Sequence, residues 1–79
     1  MTLSVWVYEC GEQLEVYSTA KAALDAVIYN LRYNYEATAD DGVPSVKELK
    51  ATGYGSVTFR NGACTIKLTN RTIKIKGGH

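Results

Sequence analysis

The stretch Tyr54–Lys76, YGSVTFRNGACTIKLTNRTIKIK, is where residue pattern and turn chemistry together fix a register. Asn61-Gly62 suits a two-residue hairpin turn with positive φ at both positions, which sets Arg60 opposite Ala63 and Phe59 opposite Cys64. Counting outward, Val57 meets Ile66 and Gly55 meets Leu68 on one face. Thr58 meets Thr65, Ser56 meets Lys67 and Tyr54 meets Thr69 on the other. A second reversal at Asn70-Arg71, weaker because Arg disfavours positive φ, would set Leu68 against Ile73 and Ile66 against Ile75. The pattern thus predicts a three-stranded antiparallel meander with Val57, Phe59, Cys64, Ile66, Leu68, Ile73 and Ile75 inward. The other face would carry Tyr54, Arg60, Lys67, Lys74 and Lys76 among serines and threonines, with Lys67 beside Lys74. Like charges so opposed are destabilising unless something compensates, which marks this face for a partner. Solvated lysines that guard an exposed strand against aggregation are the plainer reading.

Outward from this ribbon, Leu3–Cys10, LSVWVYEC, alternates and ends at Gly11-Glu12, a strand and a tight turn. A two-residue loop sets Val7 against Val16, Trp6 against Tyr17 and Tyr8 against Glu15. If the aliphatics pack under a helix, Trp6, Tyr8 and Tyr17 join the cations on the open face. The opposite choice buries the aromatics and leaves Val5, Val7 and Val16 out.

Ser18 is placed to cap a helix over about residues 19–36, in which Ala20, Ala23, Leu24, Val27, Ile28, Leu31 and Tyr35 recur at helical spacing. Lys21 and Asp25 form an i,i+4 pair on its wet side, and Tyr29 and Tyr33 make a neighbouring stripe that reads as the edge of a core. Residues 37–43 form a loop in which Asp40 and Asp41 read as solvated turn residues. Ser45 and Glu48 have capping-box spacing for a short helix ending before Gly53, with an edge strand over VKELKA as the alternative. The order ββα(α)βββ is that of a single α+β domain with one helix layer on an antiparallel sheet.

Seventy-nine residues suffice for one sheet-and-helix core and leave little room for a cofactor pocket. The net charge of +1 hides a division: residues 1–48 hold eight acids and three bases, whereas residues 49–79 hold six bases and no acid. The basic end suits an acidic protein or a nucleic acid. No apolar run approaches a membrane span, and the first residues carry Glu9, Glu12 and Glu15 instead of a basic leader, so a cytoplasmic protein is expected. Cys10 and Cys64 read as reduced, half-buried thiols.

Chemistry is scarce. The single histidine, His79, follows Gly77-Gly78 and reads as part of a frayed tail or expression remnant over residues 76–79, so a nucleophile-His arrangement has nothing better to use. Gly53-Tyr54-Gly55 leads into a strand and not a helix N-terminus, unlike a phosphate loop. Two cysteines in different elements fall short of a zinc site. No catalytic residue, metal or cofactor is expected, and the chain reads as non-enzymatic. The partner-binding set is Trp6, Tyr8, Tyr17, Tyr54, Arg60, Lys67, Lys74 and Lys76. Rings with cations suit a protein-protein interface, a homodimer included. They also suit single-stranded nucleic acid, but the motif and element order of an RNA-recognition domain are lacking, which favours a protein.

The opening plan, SVWVYEC, a turn, then LEVYSTAKAALDAV running straight into a helix, resembles small phage and prophage accessory proteins over residues 3–31. The residues that carry the likeness, Val16, Tyr17, Ser18, Ala22, Ala23 and Leu24, are structural, so no binding residue is carried across. Such proteins include anti-CRISPR, anti-restriction and other host-takeover proteins, which occupy a surface of a host protein or nucleoprotein complex. The resemblance implies inhibition by stoichiometric binding.

Overall fold

The computed structural model describes residues 2–74. Strands β1 (Thr2–Cys10) and β2 (Gln13–Tyr17) form the first hairpin. Helices α1 (Ala20–Tyr29) and α2 (Val46–Thr52) follow, and β3 (Tyr54–Phe59) and β4 (Cys64–Lys74) close an antiparallel sheet in the order β2-β1-β4-β3. The domain is α+β, with its helices on one face of the sheet.

Both hairpins keep the expected register. Phe59 pairs with Cys64, Val57 with Ile66 and Tyr54 with Thr69, while Trp6 pairs with Tyr17 and Val7 with Val16. Around the 60–63 turn, positive φ extends one residue further back than the dipeptide implies, to Arg60, Asn61 and Gly62. Asp40, expected to be merely solvated, holds this turn: its carboxylate accepts from Asn61 N at 3.3 Å and Gly62 N at 2.8 Å.

The second reversal does not form. Asn70 and Arg71 are absent from the residues with positive φ, and β4 runs on through them to Lys74 while pairing with β1 from Cys10–Ile66 to Thr2–Lys74. Nine continuous cross-strand pairs outweigh a turn that would have required Arg in a left-handed conformation. Because the strand does not fold back, Ile73 falls on the face opposite Leu68 and is 45% exposed, contrary to its expected inward position. Ile75 lies outside the described residues.

Helix α1 is capped by Thr19, one residue later than Ser18, with the Thr19 hydroxyl accepting from Ala22 N at 3.0 Å. Ala20, Ala23, Leu24, Val27 and Leu31 face the core as expected, but Ile28 is 42% exposed. From Asn30 to Asn34 the helix widens into a π turn, closed by Tyr35 N donating to Asn30 O at 2.8 Å. Asn30, three residues after Val27 and seven after Ala23, faces the interior, where its Nδ2 donates to the Tyr8 hydroxyl at 3.0 Å and its Oδ1 accepts from Asn34. A buried amide is thereby satisfied on both ends, as burial of a polar group demands. On the wet side Lys21 and Asp25 form the expected ion pair at 2.9 Å. Helix α2 opens on Ser45, whose hydroxyl accepts from Glu48 N at 3.2 Å, and closes on left-handed Gly53. It presses Leu49 against Gly55, where a β-carbon would come within 2.3 Å of the Leu49 side chain.

Candidate functional site: the uncovered sheet face

Side-chain alternation gives the sheet two unlike faces. Under α1 lie Trp6 and Tyr8 with Val57, Phe59, Ile66 and Leu68, all in one buried cluster. Two of the expected surface rings are therefore core residues, Trp6 at 6% exposure and Tyr8 at none. The alternation in β1 is apolar on both sides and fits either orientation. Burial area decides, since each aromatic ring removes about 150–250 Å² from water, and on the other face only Val5 is well buried while Val7 is half-buried and Val16 exposed.

Tyr17 points to the same side as Tyr8, edge-on to it at 6.4 Å, and donates its hydroxyl to Glu15. That hydrogen bond, followed by burial, pushes the Tyr17 phenol up to about 12. Burial pushes Tyr8 up as well, and Tyr35 is raised chiefly by its hydrogen bond with Cys10 and then by burial. A phenol whose pKa is raised by folding contributes its stability in full below pH 10. That stability is lost as pH climbs through the folded value. Urea denaturation at intervals from pH 9 to pH 12 should show stability falling above about pH 10, and Tyr17→Phe should make that fall shallower by about one proton. An unchanged slope would mean the Tyr17–Glu15 bond is not retained in solution.

The other expected binding residues divide among the elements. Tyr54 is on the uncovered face, 49% exposed. Arg60 sits at the tip of the β3–β4 turn, where its Nη2 donates to Tyr35 O at 2.9 Å. Lys67 is exposed on the uncovered face, but its cross-strand neighbours are Glu9 and Ser56 instead of Lys74. Lys74 pairs with Thr2, seven positions away and of opposite parity, so the two lysines lie on opposite faces. The like-charge clash disappears, and the residue opposite Lys67 on β1 is the acidic Glu9. Lys76 lies outside the described residues.

What the uncovered face does carry is apolar. Leu14 and Val16 of β2 are 63% and 59% exposed; Val16 pairs with Val7 of β1 and Leu14 with Glu9, and further along the same face Leu3 pairs with Ile73 of β4. Val5 belongs to the same row and is itself well buried, with Arg71 opposite it. Tyr54, Thr69, Lys67 and Arg71 border this strip. The aliphatic strip follows once β1 and β2 are phased with the rings inward, so Leu14 and Val16 were the overlooked signal in QLEVY.

No helix among the described residues is long and apolar enough to cross a membrane. Comparison with protein-family models, curated proteins and solved structures found no match.

Proposed function

We propose that the chain is a non-enzymatic binding protein that docks its uncovered sheet face onto a protein partner and acts by occupying that partner's surface. The observation that carries this reading is the aliphatic row of exposed Leu14, Val16, Leu3 and Ile73 with half-buried Val7, on the sheet face that no helix covers. Contiguous apolar surface of this kind marks interaction sites. Strands of these lengths, at about 3.4 Å per residue and about 4.8 Å apart, project on the order of 500 Å². That suits one modest protein interface. Arg71, opposite Val5, favours an acidic group on the partner's rim, whereas Lys67 already faces Glu9. Stoichiometric inhibition, the role implied by the likeness to phage accessory proteins, is this same mode of action. Nucleic acid is the less favoured occupant, because base stacking needs exposed rings and of the expected set only Tyr54 offers one on this face.

The test compares the wild-type chain with Leu14→Asp/Val16→Asp as bait in extract of the source cell, with Lys21→Glu on the helix side as control. Both leucine and valine are exposed, so the double variant should keep its thermal midpoint. It should lose at least about tenfold of the captured partner, because each charge would be buried unpaired. Equal capture by both baits would remove the proposal. Sedimentation of the chain alone identifies the case in which the partner is a second copy.

A further inference from the structure

A second feature lies at the far end of α1, on the side of the molecule away from the uncovered face. Two depressions adjoin there and share Arg32, Ala37 and Thr38 as a common wall. One is a shallow, open and mainly apolar depression of about 270 Å³ whose lining includes Ile28, Leu31, Ala39 and Val43. The other is a wider, open basin whose lining includes Arg32 and Arg60, with Glu36, Asp40 and Asn61 also on its border.

The basin is rigidly built. All three non-glycine residues with positive φ among the described residues, Glu36, Arg60 and Asn61, line it. Backbone in that region is held at a cost and collects where a ligand site must be pre-shaped. The loop forming its wall is tied down along its length: Ala37 N donates to Leu31 O at 2.8 Å, and Asp40 N donates to Thr58 O at 2.8 Å. A β-bridge joins Ala39 to Phe59. Preorganisation of this kind lowers the entropy cost of binding.

The charges are unevenly committed. Asp40 already accepts from Asn61 N and Gly62 N. Neither Arg32 nor Arg60 has a carboxylate within ion-pair distance among the described residues. Arg60 uses one nitrogen on Tyr35 O, leaving most of its fork unspent, and Arg32 is an exposed residue of the basin's lining. A planar guanidinium matches a carboxylate in two parallel hydrogen bonds. Glu36 at the same basin disfavours a second negative charge on the ligand, and the apolar depression next door asks for a hydrocarbon group.

From this arrangement we infer that the trough binds a monocarboxylate carrying a short apolar tail, the head on Arg32 and Arg60 and the tail between Ile28, Leu31 and Val43. The chemistry is shared by a small apolar acid and by a chain end finishing in an apolar residue. The test is an amide-resolved NMR titration of the full chain with octanoate, with octanamide as the neutral control. A second arm uses a short peptide ending in Leu-Leu, with its terminus free or amidated. Octanoate should give saturable shifts at Thr38, Ala39 and Gly42 at millimolar concentration. Arg32→Gln should weaken it about tenfold, and Glu36→Gln should tighten it. Binding by octanoate but not by the free peptide assigns a small acid, and preference for the free peptide assigns a chain end. Equal binding by octanamide, unchanged affinity in Arg32→Gln, or no saturable shift up to about 10 mM would overturn the inference. Arg32 is exposed, so loss of fold does not confuse the readout.

Discussion

Trp6→Ala should unfold much of the protein and not merely weaken its binding. Trp6 is 6% exposed and belongs to the cluster beneath α1, so its truncation empties a ring-sized volume that the sheet and helix cannot refill. Large-to-small changes of this kind cost about 3–5 kcal/mol. A 79-residue domain has about 4–12 kcal/mol in total. At roughly 4–8 °C per kcal/mol, the thermal midpoint should fall by about 12–40 °C, read by far-ultraviolet circular dichroism. In the wild type the same ring gives an independent check: emission should be blue-shifted, poorly reached by acrylamide, and unmoved by single-stranded oligonucleotide. A folded Trp6→Ala chain with a midpoint within about 5 °C of wild type would return Trp6 to the surface.

Phe59→Ala carries an effect of the same size for a different reason. Phe59 is 1% exposed, stacks on Tyr35 at 5.0 Å, and lies in the strand that bridges to Ala39. It therefore joins the β3–β4 hairpin to the loop after α1 as well as filling the core. Its loss should cost about 3–5 kcal/mol by denaturant titration. Protection of the Asp40 amide against hydrogen exchange, which depends on its bond to Thr58 O, should fall together with global stability. Retained stability with exchange lost only at Asp40 would show that the ring anchors the loop alone. Phe59→Leu should recover most of the loss, since it keeps the volume apolar.

These two residues mark where local sequence was informative and where it was not. Phe59 was legible because Asn61-Gly62 fixes its hairpin without reference to anything distant. The Ser45–Glu48 cap and the Ala20, Ala23, Leu24, Val27 stripe were legible for the same reason, each being settled within a few residues. Trp6 was not, because β1 is apolar on both sides and the choice depends on which set of side chains best fills the space under α1. The run through Asn70-Arg71 was equally hidden: it depends on pairing with β1, some sixty-five residues earlier in the chain. The expected docking face inherited both errors. Trp6 and Tyr8 went into the core and Tyr17 turned to their side, Lys74 parted from Lys67, and an aliphatic strip lies beside the Tyr54 and Lys67 that stayed out. Asn30 falls on the core stripe by spacing from Ala23 and Val27, but a buried amide there makes sense only once its partner Tyr8 is known to be inside.

The pairing of Thr2 with Lys74 also has a practical meaning for rewiring the molecule. The first and last described residues sit side by side at one end of the sheet, while the Gly11-Glu12 turn is exposed at the opposite end of β1. A short linker across the two ends, with new termini opened at that turn, would give a circular permutant in which β4 and β1 become a single hairpin. The longest ladder in the fold would then close locally, and the slow search for a distant strand would be removed from its folding.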